Sequence, residues 1–163
     1  MRLLIEPVLQ YLHSLAVGVL LGKVVLLSFV VAPILAKNLE RDPFGKVVRQ
    51  LFPAYYMLGM ATAAVGLLSL TGLWSIGTLS PSLPAAAGIW LVILAAETYC
   101  RSPLTPRSNA IRDRLKEQGQ QGAVDAQLQA EWNRLHQRSI YLNSTVLVGG
   151  LCLLGIARRF SLP

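Results

Sequence analysis

The sequence predicts an all-α fold: a polytopic membrane protein whose four transmembrane helices form an up-down bundle, with an amphipathic cytoplasmic helical segment before the fourth span. Three observations predict it. First, the 163-residue chain is 53% hydrophobic and only 14% charged, with mean hydropathy +0.50, whereas soluble domains run at about a quarter charged. Second, four apolar stretches, 8–36, 54–79, 83–100 and 139–157, approach or exceed the length of about 20 helical residues that crosses a hydrocarbon core of about 30 Å. Third, the basic residues fall almost entirely on one side of those crossings. Four spans with short connections leave room for a single membrane domain, 1–163.

Taken in order, Glu6 and Pro7 suit the first turn of span one, since proline fits the first helical position and an acid suits the positive end of the helix dipole. Span one then runs about 29 residues, roughly 43 Å at 1.5 Å per residue, so it must tilt or protrude. Pro33 is expected to kink it or end its regular hydrogen bonding near the inner end. Gly18 and Gly22 form a GxxxG pair, which lets a helix approach closely, either within the protomer or across a dimer seam.

A loop over 37–50 follows, and Leu51-Phe52-Pro53 brings the chain back into the membrane with Tyr55 and Tyr56 at interfacial depth. Gly59, Ala63 and Gly66 give span two a small-residue face for packing. Trp74 and Trp90 fall nearer the outer side, where belt aromatics sit. Span three is the shortest, but its alanine-rich start and Tyr99 suit interfacial ends, and Pro103 and Pro106 are expected to end it.

The cytoplasmic segment, 101–138, is the sizeable polar region of the chain. Ser108 or Asn109 is expected to cap a helix through about Gln118 that carries Ile111 and Leu115, and Gly119 and Gly122 break it. From Val124, the spacing of Leu128, Trp132, Leu135 and Ile140 reads as an amphipathic helix running into span four. Its apolar side is expected to pack on the bundle or lie on the membrane rather than to await a partner.

The net charge of +7 is a topology signal. The first loop holds Lys37, Arg41, Lys46 and Arg49; the third holds Arg101, Arg107, Arg112, Arg114, Lys116, Arg134 and Arg138. Arg2, Arg158 and Arg159 fall on the opposite side. The positive-inside rule therefore puts both loops in the cytoplasm and both termini outside it, in a bacterial inner membrane or another internal membrane. The expected partners are the lipid bilayer, its anionic headgroups at the cytoplasmic face, and a membrane protein or second copy; nucleic acid is not among them. The first apolar run is too long for a cleaved signal peptide, and most of the positive charge follows rather than precedes it. Cys100 and Cys152 fall near opposite faces, so an intramolecular disulfide is not expected, and they match no zinc spacing.

Lys23 lies in the middle of span one, where a lysine costs about 2.5–3.5 kcal/mol on insertion scales and needs a partner or a polar cavity. Helical rise puts Lys23 about 21 Å and Glu97 about 20 Å from the outer face. Asn143, about four residues from the inner end of span four, reaches a similar level, with Tyr56 and Tyr99 just beneath. The three predict a polar intramembrane layer: a Lys23–Glu97 ion pair with Asn143 hydrogen-bonded alongside. Such a layer is either a clamp that fixes helix register or a proton, ion or solute site.

His13 and His136 differ by about 25–35 Å in depth, too far to share a metal whose bonds are about 2 Å. Each shares its level with a thiol, Cys152 for His13 and Cys100 for His136, an arrangement that would suit a soft-metal carrier; the plainer alternative is interfacial histidines and small buried cysteines. No metal site and no cofactor is specified. The sequence contains no hydrolase triad, phosphate-binding loop, dinucleotide fingerprint or HExxH motif, which weighs against an enzyme that makes its own nucleophile and leaves no catalytic residue to name.

Several motifs resemble a known family. His13 followed by Gly22 and Ser28-Phe29-Val30, Leu51-Phe52-Pro53-Ala54-Tyr55-Tyr56, Thr105-Pro106-Arg107, and Arg134-Leu135-His136 with Ser139 and Asn143 are similar to the four-helix membrane family typified by transmembrane protein 205. The resemblance covers nearly the whole chain. It implies a four-helix integral membrane protein from a family of unknown function, with His13, Gly22, Pro53, Pro106, Arg107, Arg134 and His136 as its motif residues. The animal member is linked to resistance to platinum drugs, which suggests export of soft-metal compounds. Leu20-Leu21 stand where that family has an aromatic pair before the glycine, and Lys23 follows, so the lysine belongs to this branch. At the level of fold and an early histidine there is also a distant likeness to copper-resistance membrane proteins and haem-containing protoporphyrinogen oxidases. The expectation is transport or tolerance of a small solute or soft metal through the polar layer; the alternatives are an accessory or assembly subunit of a larger membrane complex and, more weakly, a haem-binding redox protein.

Overall fold

The computed structural model describes residues 2–78, 80–122 and 124–160, with side chains described as far as Ala157. Leu79, the expected end of span two, and the side chains of Arg158 and Arg159 lie outside the described residues. Six α-helices follow in order: α1 (Arg2–Val25), α2 (Ala32–Asn38), α3 (Arg41–Ser75), α4 (Ser82–Tyr99), α5 (Thr105–Gln120) and α6 (Ala126–Phe160). Short π-helical stretches, Leu26–Val31 and Cys100–Leu104, join α1 to α2 and α4 to α5. The helical rods Arg2–Asn38, Arg41–Ser75, Ser82–Gln120 and Ala126–Ala157 are long and apolar enough to cross a membrane. An all-α multi-pass bundle is thus the observed architecture.

Both π stretches precede or contain prolines: regular α bonding is interrupted ahead of Pro33 as expected, whereas Pro103 and Pro106 do not end their helix as expected. Proline lacks an N–H and crowds the carbonyl four residues back. A π turn moves the bonding to the carbonyl five residues back: Ala32 N–H donates to Leu27 O and Thr105 N–H to Cys100 O. The Thr105 hydroxyl donates to the same Cys100 carbonyl at 2.7 Å. The chain therefore stays helical through both sites, because backbone polar groups near a membrane must be satisfied internally. Two further boundaries shift. Pro7 lies inside α1 rather than at its start, and the expected loop over 37–50 shrinks to Leu39–Glu40, since α3 begins at Arg41 and continues through Pro53.

The rods surround a common axis in the cyclic order α1, α3, α4, α6. Among the described residues, no Cα pair within 8 Å joins the diagonal helices α1 and α4 or α3 and α6. Small residues set the close approaches: a Cβ at Gly66 would lie 2.3 Å from Trp90 Cε2, and one at Gly150 2.7 Å from a Leu21 methyl. Gly18 and Gly22 behave otherwise. Both face outward and a Cβ would meet nothing within 4 Å, so the GxxxG pair makes no helix contact within the protomer.

Past the spans, α3, α5 and α6 continue as a helical cap that carries the basic loops. Ile111 and Leu135 are buried there, with Leu115, Leu128 and Trp132 packed against them. Polar ties fasten its rim: Lys116 to Asp42, Arg49 to Asp113 at 2.5 Å, Arg107 to Glu131 at 2.5 Å, and Arg112 to the Arg41 carbonyl at 2.7 Å. The amphipathic segment thus packs on the bundle, and Gly122, at φ +83°, makes the turn between α5 and α6.

Candidate functional site: crossed polar diagonals and an adjoining cavity

Polar side chains join the helices that backbone contact leaves apart. On one diagonal, Lys23 of α1 donates to Glu97 Oε1 of α4 at 2.6 Å, with side chains only 4% and 1% exposed. The ammonium also donates to the Tyr55 carbonyl at 3.3 Å and sits 3.8 Å from the centre of the Tyr55 ring. Space for the pair comes from Gly59, where a Cβ would lie 2.3 Å from Glu97 Cδ and 2.4 Å from Lys23 Nζ. Glu97 Oε2 is buried with no hydrogen-bond partner among the described residues. Two charges in so dry a place are tolerable only together.

A second strut on this diagonal lies about seven residues farther out along α4. Trp90 Nε1 donates to His13 Nε2 at 3.1 Å, with the rings edge to face and both residues fully buried. Trp90 is therefore a core residue, which corrects its expected place in the outer aromatic belt; Trp74, 69% exposed, faces outward as a belt residue does.

The other diagonal runs from α3 to α6. Tyr55 donates to Asn143 Oδ1 at 3.0 Å, Asn143 Nδ2 donates to the Ser139 carbonyl at 2.9 Å, and the Tyr56 and Ser139 hydroxyls are 3.4 Å apart. Asn143 thus meets the ion pair through Tyr55 rather than touching it. Tyr99, expected just beneath the layer, is 42% exposed and faces outward.

The inner side of the second diagonal lines a cavity of about 440 Å³ at the basic end of the bundle. Its wall is mostly apolar, from Leu27 and Leu35 on the first rod, Phe44 and Phe52 on α3, and Leu135 and Leu147 on α6. Tyr55, Tyr56, Ser139 and Asn143 supply polar groups at its inner part, while Asn109, Arg112 and His136 stand nearer the cap. A mostly apolar pocket with a few convergent polar groups is the usual form of a small-molecule site.

The remaining motif residues scatter. His136 stacks on Trp132, with ring centres 5.2 Å apart and planes within 4°. Pro53 lies where α3 enters the span, Arg107 pairs with Glu131, and Pro106 and Arg134 are exposed. The histidine–thiol pairing that would suit a soft-metal carrier does not form: Cys152 faces outward while His13 is buried, and Cys100 is buried while His136 is exposed. Among the described residues no group of three or more His, Cys, Asp or Glu is placed to hold a metal. Tyr55, Gly59 and Trp90 are the site residues that sequence reasoning missed. One signal was available for Gly59: it sits one turn beyond Tyr55 at the depth computed for Lys23.

Fold and site together define a multi-pass four-helix membrane protein with a buried ion pair beside an apolar cavity. Residues 15–117 match the family described as Domain of unknown function (DUF4149), and the chain belongs to that family. The matched stretch includes Lys23, Tyr55, Gly59, Glu97 and Arg112, and stops short of α6 with Ser139 and Asn143. No curated protein and no solved structure matches the chain.

Proposed function

We propose that this protein takes a small solute into the cavity at the basic end of its helix bundle and moves or sequesters it, as a transport or tolerance protein. One observation carries the proposal: Tyr55 belongs to both the ion pair and the cavity wall. Its carbonyl and ring hold Lys23, while its hydroxyl holds Asn143 inside the cavity. A solute that displaces Tyr55 therefore disturbs the charged layer, and this is the kind of coupling a carrier needs. The resemblance to the transmembrane protein 205 family, with its link to drug resistance, supports the same reading. The positions of the thiols favour an organic solute over a soft metal. By the positive-inside argument the cavity opens on the cytoplasmic side, with both termini outside.

The experiment is a thermal-shift screen of the purified protein in mild detergent against apolar organic solutes and soft-metal salts. A solute that raises the Tm of wild type, and does so less in Tyr55→Phe or Asn143→Ala, supports the proposal. No stabilisation by any class, together with a stoichiometric copurifying chain, sinks it and favours an accessory subunit. That second reading draws on an outward, mostly apolar groove between α4 and α6, lined by Ala85, Gly88, Val92 and Val148, which another membrane helix would cover.

A further inference from the structure

The cavity has a side door. Its walls include Phe29, Ala32 and Leu35 on the first rod and Ile140, Ser144 and Leu147 on α6. Among the described residues, no Cα of α2 comes within 8 Å of α6, although α1 packs closely on that helix. The first rod thus diverges from α6 from the π stretch onward. Both sides of the gap fall within the apolar stretches 8–36 and 139–157. Phe29, 65% exposed, stands at its edge.

The cavity is also polarised along its length. Its α6 wall runs from Trp132 to Leu147, about 22 Å at 1.5 Å per residue. At the cap end stands Arg112, whose guanidinium packs over Gly45 and donates to the Arg41 carbonyl at 2.7 Å. Arg112 forms no salt bridge among the described residues; of the carboxylates near it, Asp42, on which its charge also acts, is bound by Lys116, and Asp113 by Arg49. A long apolar slot with a cation at its cap end that makes no salt bridge among the described residues complements one class of molecule.

We propose that the cavity binds an anionic amphiphile that enters from the bilayer through the α2–α6 gap, with its acyl chain in the apolar slot and its carboxylate or phosphate at Arg112. This deepens the cavity reading above and rests on it. Guanidinium suits the headgroup because it presents several N–H donors to paired acceptor oxygens. The ligand is a free fatty acid or one chain of an anionic phospholipid; the chemistry is shared, and the test separates the sources.

Trp132 lines the head end of the slot, so nitroxide quenching of its fluorescence reports occupancy. Full-length protein in neutral detergent at alkaline pH would be titrated with stearic acid carrying a nitroxide at carbon 5, with the methyl ester of that acid, and with phosphatidylglycerol and phosphatidylcholine labelled alike. We expect saturable quenching by the acid, about fivefold weaker for the ester, the factor equivalent to about 1 kcal/mol for one cation at a lipid headgroup. Quenching by labelled phosphatidylglycerol but not phosphatidylcholine assigns a phospholipid; quenching by the acid alone assigns a free fatty acid. Trp132→Phe should abolish the saturable component, Arg112→Gln the preference for acid, and Arg112→Lys should restore it in part. Ala32→Trp, which narrows the side door without touching Arg112, should block the acid if Arg112→Gln does not fold. Equal saturable quenching by acid and ester overturns the headgroup assignment and leaves the cavity reading standing. No saturable quenching by any probe in folded protein overturns the amphiphile proposal, and the thermal-shift screen then decides the cavity reading separately.

Discussion

Lys23 and Glu97 show what a single position can and cannot reveal. Their pairing was legible because a charge in an apolar span needs a partner, and helical rise puts both residues at one depth. Tyr55 and Trp90 were not legible, because the aromatic residue type favours interfacial belts and cores alike, and depth does not say which face of a helix turns inward. The buried geometry makes a double-mutant cycle decisive. Lys23→Met leaves Glu97 buried without its partner, and such a loss costs about 3–5 kcal/mol, whereas apolar replacement of both partners is often close to neutral. We expect Lys23→Met to lower resistance to SDS unfolding by that amount and Lys23→Met/Glu97→Leu to recover most of it; additive losses would contradict the pairing. Gly59→Ala should harm stability comparably with no charge removed, since its Cβ would fall 2.3 Å from Glu97 Cδ. If Lys23→Met instead folds normally and loses only solute-dependent stabilisation, the pair is functional rather than a clamp.

At the scale of the element, the boundaries that sequence patterns misplace are the proline sites. Pro103 and Pro106 each signal a helix end in water, where a freed carbonyl finds solvent. Here a π turn and a threonine hydroxyl take that role, and no local pattern announces either. Thr105→Val keeps the shape and removes the hydroxyl bound to Cys100 O; we expect a loss of about 0.6–1.5 kcal/mol in unfolding free energy, with helicity unchanged. The cap, by contrast, followed from its apolar spacing, because Ile111, Leu115, Leu128, Trp132 and Leu135 recur at helical intervals. Its rim is pH-sensitive. The hydrogen bond from the Lys116 ammonium, with help from Arg112 and Lys46, holds the exposed Asp42 carboxyl below the ordinary carboxylate range. A depressed folded-state value stabilises above the unfolded value and loses that contribution as pH falls through the folded one. A spin label on exposed Arg114 should therefore gain mobility only under acid conditions, below about pH 4. Asp42→Asn should show that higher mobility already at neutral pH and a smaller acid step, since Asp113 and Glu131 still titrate.

For the whole molecule, the four-rod architecture followed from composition and apolar length, while the crossed diagonals and the cavity did not, since both depend on how rods rotate against one another. Orientation rests on a different argument, the distribution of basic residues along the sequence. Several cap arginines and lysines are paired with acids, so a net-charge rule would discount them. The positive-inside rule counts lysine and arginine near span ends, and acidic partners contribute little. Lys37, Arg41, Lys46 and Arg49 with the basic residues of α5 and the start of α6 therefore vote together, against Arg2, Arg158 and Arg159. The native cysteines make this testable with little background, because Cys100 is buried and Cys152 faces outward from a membrane-spanning part of α6. Ser80→Cys would place a thiol in the short turn before α4, and Gln121→Cys one in the turn after α5. In intact cells a membrane-impermeant maleimide should label Ser80→Cys and leave Gln121→Cys unlabelled until the membrane is opened. The reverse pattern would invert the molecule, move Arg112 and the cavity mouth to the outer leaflet, and require the solute to be taken from outside.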